Sequence, residues 1–183
     1  MSESYLAAFR RQSRFRDEEP MTDEDGAVYN IEGLHFEGWT RVRPDGVVLV
    51  SSLPTLDATV TGETVAEVVQ EGWFETLGRR LEDAPSVIDR DVGEPMVTRE
   101  GTRVRVETPI SSDPDHAPDD VIAIANYVEG TWVQGIIPGY EYNEQVRSIR
   151  ERARDRANDA TGGSRDGGND AGRTQDEKKE EDD

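Results

Sequence analysis

The chain has 183 residues, a formal net charge of −19, 33% hydrophobic residues and no cysteine. The lack of cysteine excludes disulfides, thiol catalysis and zinc sites with cysteine ligands. A charge this negative disfavours sequence-independent binding to duplex DNA or anionic lipid, because both attract proteins with an excess of Lys and Arg.

The basic residues are almost all arginine, since Lys178 and Lys179 are the only lysines among 21 basic residues. Together with the many carboxylates, this composition is typical of a halophile, and an acidic protein from a high-GC mesophile is the alternative. The longest apolar runs, Val47 to Val50 and Val121 to Ala125, fall far short of the ~20 residues that span a bilayer. No secretory signal is visible in residues 1–5, so we expect a soluble cytoplasmic protein.

Residues 4–15 predict a first short helix, because Tyr5, Leu6 and Phe9 recur at helical spacing after a capping Ser2 or Ser4. Four arginines lie on or just beyond this helix, at Arg10, Arg11, Arg14 and Arg16. They indicate either an anion or nucleic-acid patch or a solvated face balanced by residues 17–19, and we favour the solvated face. Residues 20–26 predict a loop.

The next segment reads as β structure from Ala27 to Val42, followed by a turn at Pro44-Asp45-Gly46. The returning strand, Val47 to Leu53, begins with an unbroken apolar run, which predicts a central strand with both faces covered. Leu56 to Val60 is either a short strand or a connection.

A second helix is predicted from Thr61 or Thr64 to Leu81, with a capping box formed by Thr64 and Glu67. One side of it is apolar. That side comprises Val65, Val68, Val69, Trp73, Leu77 and Leu81.

Two further strands are predicted at residues 94–98 and 102–110, joined by a turn at residues 99–101. A third helix begins near Pro118 and ends before Pro138, with Trp132 on its apolar side. A last helix, residues 143–158, contains intrahelical charge pairs and few core residues.

These elements predict a single α+β domain over residues 1–145, with helices packed on an antiparallel sheet. Residues 146–160 are predicted to form a solvent-exposed helix. Residues 161–183 are predicted to be a disordered acidic tail, since they contain too little apolar surface to offset the ordering entropy.

No motif for catalysis or cofactor binding is present, and we predict no catalytic, cofactor-binding or metal-ligating residue. The two histidines, His35 and His116, lack metal-ligand spacing, so we interpret them as structural or exposed. The acidic group Asp113, Asp115, Asp119 and Asp120 could hold a divalent cation. It lacks the glycine and terminal glutamate of an EF-hand loop, so surface acidity is the better explanation.

The order of the elements is accompanied by Trp39, the Pro44-Asp45-Gly46 hairpin, the helix with Val65, Val69 and Trp73, and the segment Trp132-Val133-Gln134-Gly135. In these features the chain resembles an uncharacterised family of small haloarchaeal proteins, a domain of unknown function. The arrangement over residues 4–140 also resembles type III secretion chaperones and YbjN-like proteins. This resemblance implies an antiparallel α+β domain that binds protein segments, often as a homodimer.

Two functional hypotheses follow. The first is a non-enzymatic, chaperone-like protein-interaction module with an unidentified protein partner or a second copy, which predicts an exposed apolar patch rimmed by charge. The second is a metal-dependent enzyme using the loop from Asp113 to Asp120, which predicts carboxylates converging in a pocket. Nucleic-acid and membrane binding are not expected.

Overall fold

The computed structural model describes residues 4–17 and 26–162. The described helices are α1 (Tyr5–Arg11), α2 (Leu56–Thr59), α3 (Glu67–Leu81), α4 (Ala117–Gln134) and α5 (Glu144–Gly162), with a 3-10 turn at Ala84–Val87 after α3. The described strands are β1 (Phe15–Asp17), β2 (Ala27–Ile31), β3 (Glu37–Arg43), β4 (Gly46–Pro54), β5 (Met96–Glu100) and β6 (Arg103–Ile110). Residues 20–25 of the predicted loop and residues 163–183 of the predicted tail lie outside the described residues.

The described strands form one six-stranded sheet in the order β1-β2-β3-β4-β6-β5, with every neighbouring pair antiparallel. The α+β prediction is therefore confirmed. The strand β6 returns between β4 and β5, so the two predicted hairpins join edge to edge through β4 and β6. The turn of the second hairpin centres on Gly101, whose φ of +59° is readily adopted by glycine.

The helices cover one face of this sheet. Alternate residues of β4, such as Leu49 and Leu53, point into the core, and α4 packs directly on β4 and β6. Trp73 of α3 and Trp132 of α4 are both buried, as the sequence predicts, and their rings meet edge to face at 6.4 Å. α1 contributes Phe9 to the core.

Three details of the predicted core are wrong. Leu6, predicted to face the core, is 39% exposed, because α1 turns Ala8 and Phe9 inward instead. Val68 is 75% exposed for a similar reason, since buried Gln70 occupies the inward side of the first turn of α3. The strand β4 is central, but only one face is fully covered: Val48 on the other face is half-buried.

The second predicted helix starts later than expected. Residues 60–66 are not helical, and the Asp57 carboxylate accepts a 2.7 Å hydrogen bond from the backbone N–H of Val65 at the end of this segment. The helix α3 has Ala66 at its N-cap without a side-chain bond, so the capping box at Thr64 is not formed. Residues 56–59 form the one-turn helix α2, capped by Thr55, and not a strand.

The last helix contributes more to the core than predicted. Val146 and Ile149, within the stretch predicted to be solvent-exposed, are buried against the rest of the domain. The Asn143 side chain caps the helix by accepting a hydrogen bond from the backbone N–H of Val146. The side chains of residues 151–156 are exposed, in contrast to Val146 and Ile149 in the first turns of α5.

Candidate functional site

On the face of the sheet opposite the helices, most strand side chains are half-buried or exposed in the described part of the chain. Its centre is a row of paired residues across four strands, in which Trp39 lies beside Val50, Val50 beside Glu107, and Glu107 beside Met96. We call the outward-facing side chains of this surface the open face. They are Arg16, Val28, Asn30, Glu37, Trp39, Arg41, Arg43, Val48, Val50, Ser52, Pro54, Met96, Thr98, Glu100, Arg103, Arg105, Glu107 and Pro109.

A small cluster organises the centre of the open face. The guanidinium of Arg105 lies 5.6 Å from the centroid of the Trp39 ring, within the range of a cation–π interaction. Arg105 also donates to the Glu107 carboxylate at 2.6 Å. These groups surround Val50, which is completely buried although it points away from the helices. The cluster therefore places Arg105 against the Trp39 ring, on the side of the sheet that faces away from the described helices.

Next to this cluster lies an apolar strip with a cation in its middle. Arg41 sits in register between Val28 and Val48, and all three are half-buried. Arg41 forms no hydrogen bond or ion pair with the described residues. Its charge is therefore available to a group from outside the domain.

The open face differs in charge from the chain as a whole. Its outward strand positions include five arginines but three glutamates, whereas the chain has a net charge of −19. Arg103 pairs with Glu37 of β3 at 2.8 Å, Arg105 pairs with Glu107 of its own strand, and Arg16 pairs with Glu32. A surface with a cationic excess in so acidic a protein favours approach by a negatively charged group.

A second feature is a cleft of about 480 Å³ between α4 and α5. Glu129, 7% exposed, lies at its wall, and Oε1 of this carboxylate accepts 2.7 Å hydrogen bonds from the backbone N–H groups of His35 and Phe36. Burial raises the pKa of Glu129, while the bonds from Phe36 and His35 act in the opposite direction. Sequence reasoning missed this residue, although it is the one charged residue between Val121 and Gln134.

The structure does not bring the carboxylates of the predicted acidic loop together. Asp120 is buried and pairs through Oδ1 with Arg90 at 2.5 Å, and Asp119 accepts a weak hydrogen bond from Gln12. The Asp113 backbone carbonyl accepts the N–H of Ala117, at the start of α4. Among the described residues no cluster of three or more His, Asp and Glu side chains could hold a metal ion.

The other residues that the sequence offered for a functional site, the two histidines and the arginines near α1, are also not brought together. His35 belongs to the loop that Glu129 fixes, and His116 occupies the N-cap position of α4 without a side-chain cap bond. Arg14 donates to the backbone carbonyl of Glu32, and Arg16 pairs with the Glu32 carboxylate. These pairings agree with a solvated, charge-balanced surface near α1.

A family model described as a family of unknown function (DUF5813) matches residues 14–152. No curated protein and no solved structure matches the chain. The matched range includes all six strands of the described sheet, the helices α2 to α4 and the first part of α5, up to residue 152. None of the helices in residues 4–17 and 26–162 combines the length and apolar character needed to cross a bilayer.

Proposed function

Because the chain belongs to the DUF5813 family, whose function is unknown, we propose a function from its own surface: it is a non-enzymatic, chaperone-like protein-interaction module. The open face binds an extended, acidic segment of a partner protein that also carries apolar side chains. The observation that carries this proposal is the position of Arg41, unpaired among the described residues, between Val28 and Val48 and beside Trp39.

The residue types on the open face are those that dominate binding energy in protein interfaces. Tryptophan and arginine are enriched among interface hot spots, because each combines a large contact area with a directional polar group. The ring of Trp39 is already held by Arg105, so little conformational entropy is lost when a partner covers it.

The size of the apolar strip suits a segment better than a second copy of the chain. The strip lies across the three strands β2, β3 and β4, which are spaced about 4.8 Å apart, and includes two rows of residues about 7 Å apart. Its area is therefore on the order of 200 Å². Stable dimers bury about 800 Å² per partner, so the strip alone falls well short. A single extended segment needs much less area.

Charge also favours an acidic segment over a second copy. Two open faces brought together would place five arginines against five, with three glutamates on each side to offset them. An acidic segment would instead find complementary charge at Arg41 without meeting the acidic remainder of the surface.

We also propose, from composition alone, that the protein functions in a salt-rich cytoplasm. At about 1 M salt the Debye length is roughly 3 Å, so charges at a distance contribute little there. The contacts of Trp39 and the two valines would then provide most of the affinity, and Arg41 would provide selectivity. The metal-dependent enzyme receives no support, because the acidic loop does not converge.

The test uses fluorescein-labelled synthetic peptides in polarisation titrations with the full-length protein. One peptide of about 12 residues alternates Asp with Val, and its matched control replaces each Asp by Asn. We expect the acidic peptide to bind and the Asn peptide to bind about tenfold more weakly at about 0.1 M salt. The variant Arg41→Gln should lose that preference, whereas Arg154→Gln, on the exposed part of α5, should keep it.

Three outcomes would overturn the proposal. The first is that the acidic peptide does not bind at about 1 mM. The second is that Arg41→Gln and Arg154→Gln show the same preference for the acidic peptide over the Asn peptide. The third is that light scattering detects a dimer and that Trp39→Ala dissociates it. The last would assign the open face to a second copy. Circular dichroism of each variant checks that the fold is retained.

A further inference from the structure

The cleft between α4 and α5 lies on the helix side of the sheet, away from the open face. Its volume of about 480 Å³ is within the range of sites for small molecules, roughly 300 to 1,000 Å³. Apolar groups form much of its wall, including Val133 of α4 and Ile149 and Ala153 of α5. A site of this size could enclose a ligand of several carbon atoms.

Two arginines stand at the α5 side of the cleft. Arg152 and Arg156 are four residues apart, so they project from successive turns of one helix face. Arg152 donates to the backbone carbonyl and the hydroxyl of Ser148 on its own helix, at 3.2 Å and 3.1 Å, and pairs with no acid among the described side chains. Arg156 likewise has no acidic partner among the side chains that the structure describes.

Glu129 is the one acidic residue among the described residues that line the cleft, and its carboxylate already has hydrogen-bond partners. Oε1 of Glu129 accepts hydrogen bonds from the backbone N–H groups of His35 and Phe36, and no ion pair joins Glu129 to either arginine of the cleft within the described part of the chain. The polar side chains of Asn126 and Gln134 complete the α4 wall. The cleft therefore combines apolar side chains with two arginines, Arg152 and Arg156, that form no ion pair with the other described residues lining it.

We propose that this cleft is a binding site for a small organic anion with a short apolar body. The carboxylate of such a ligand lies between the guanidinium groups of Arg152 and Arg156, and its hydrocarbon part packs on Val133 and Ile149. Arginine pairs favour carboxylates, since each guanidinium offers parallel N–H donors to two oxygens. The binding site is independent of the proposed role of the open face.

The test titrates uniformly ¹⁵N-labelled full-length protein with hexanoate and follows amide shifts by NMR. A ligand of this size is expected to bind with a Kd of about 1 mM, and shifts should concentrate at residues 126–134 and 149–156. Inorganic phosphate has the charge without the hydrocarbon chain, and hexanol has the hydrocarbon chain without the charge. Each should therefore bind at least about tenfold more weakly than hexanoate.

Two kinds of variant distinguish binding of hexanoate in the cleft from a general effect of the protein's charge. The double variant Arg152→Gln/Arg156→Gln should weaken hexanoate binding about tenfold or more, because both charge-assisted bonds are lost. Val133→Phe should weaken it by filling the cleft while every charge stays, and Arg154→Gln should leave it unchanged. The amide spectrum away from the cleft reports that each variant is folded.

The proposal fails if hexanoate causes no saturable shift at about 20 mM, a concentration well above the expected Kd. It also fails if the double variant or Val133→Phe binds hexanoate as the wild type does, or if phosphate binds as tightly as hexanoate. None of these results bears on peptide binding at the open face, so the two proposals are tested separately.

Discussion

The indole N–H of Trp132 donates a 2.8 Å hydrogen bond to the backbone carbonyl of Pro54, at the end of β4. This bond joins the longest apolar helix to the central strand of the sheet. The same ring meets Phe36 edge to face at 4.8 Å and Trp73 at 6.4 Å. Trp132 thus links α4, α3, β4 and the loop before β3 at one point of the core.

The variant Trp132→Phe tests how much this link contributes. Phenylalanine cannot donate to Pro54 and leaves a cavity, so we expect the free energy of unfolding to fall by about 2 to 4 kcal/mol. Urea denaturation followed by circular dichroism measures the change. The matched variant Trp39→Phe, on the open face, should cost less than about 1 kcal/mol. Equal losses at both positions would contradict the assignment of Trp132 as the centre of the core.

The docking of α5 is tested by two valine substitutions in helices. Val146→Ala removes a side chain that is 0% exposed, and Val68→Ala one that is 75% exposed. We expect the first to lower the free energy of unfolding by about 1 to 3 kcal/mol and the second to change it by less than about 0.5 kcal/mol. Thermal denaturation of the pair gives the comparison. A neutral Val146→Ala would show that α5 does not belong to the cooperative unit.

Local patterns were sufficient to predict most of the sheet and the central helices. Alternation around Pro44-Asp45-Gly46 predicted the first hairpin, and the spacing of Val121, Ile124 and Trp132 predicted the apolar side of α4. These elements are determined by residues close in sequence, so the periodicity of a single segment is enough.

The errors arise where contacts that the periodicity of a single segment does not reveal decide the structure. The start of α3 depends on a bond from Val65 to Asp57, which no helical pattern reveals. In α5 the two large apolar residues, Val146 and Ile149, stand in a mostly polar sequence, so the pattern does not indicate a buried side, although their spacing is helical. The Glu129 bonds to residues 35 and 36 span more than 90 positions, so sequence spacing could not predict the cleft wall.

Two buried threonines provide a prediction in the stabilising direction. Thr40 and Thr108 flank Leu49 in register on the covered face of the sheet, and neither hydroxyl has a partner among the described groups. Valine keeps the shape and removes an unsatisfied polar group, so Thr40→Val and Thr108→Val should each raise the free energy of unfolding by about 0.5 to 2 kcal/mol. Urea denaturation measures the gain.

The control for these variants is Thr98→Val, at an exposed position of the edge strand β5. It retains the change in β propensity but removes no buried hydroxyl, so its effect should stay within about 0.5 kcal/mol. A loss of stability at Thr40 or Thr108 would mean that those hydroxyls are hydrogen-bonded to water in solution.

The last prediction concerns pH and the buried carboxyl of Glu129. Burial raises its pKa above the ordinary 4.5, whereas the backbone N–H groups of Phe36 and His35, together with the charges of His35 and Arg14, oppose this rise. The unfolded chain therefore releases this proton at lower pH than the folded chain does. The contribution of Glu129 to stability is accordingly largest below pH 4.5 and is lost as the pH rises through the raised pKa.

The variant Glu129→Gln isolates that contribution, because its amide oxygen can still accept the bonds from residues 35 and 36 while the titratable group is gone. The free energy of unfolding of the wild type minus that of the variant should decrease as the pH rises from about 4 to about 8. Urea titrations at several pH values measure this difference, and Glu71→Gln, at an exposed position of α3, is the control. A difference that increases with pH would mean that the ionised carboxylate is the form the fold prefers, and would reverse the assigned direction of the pKa.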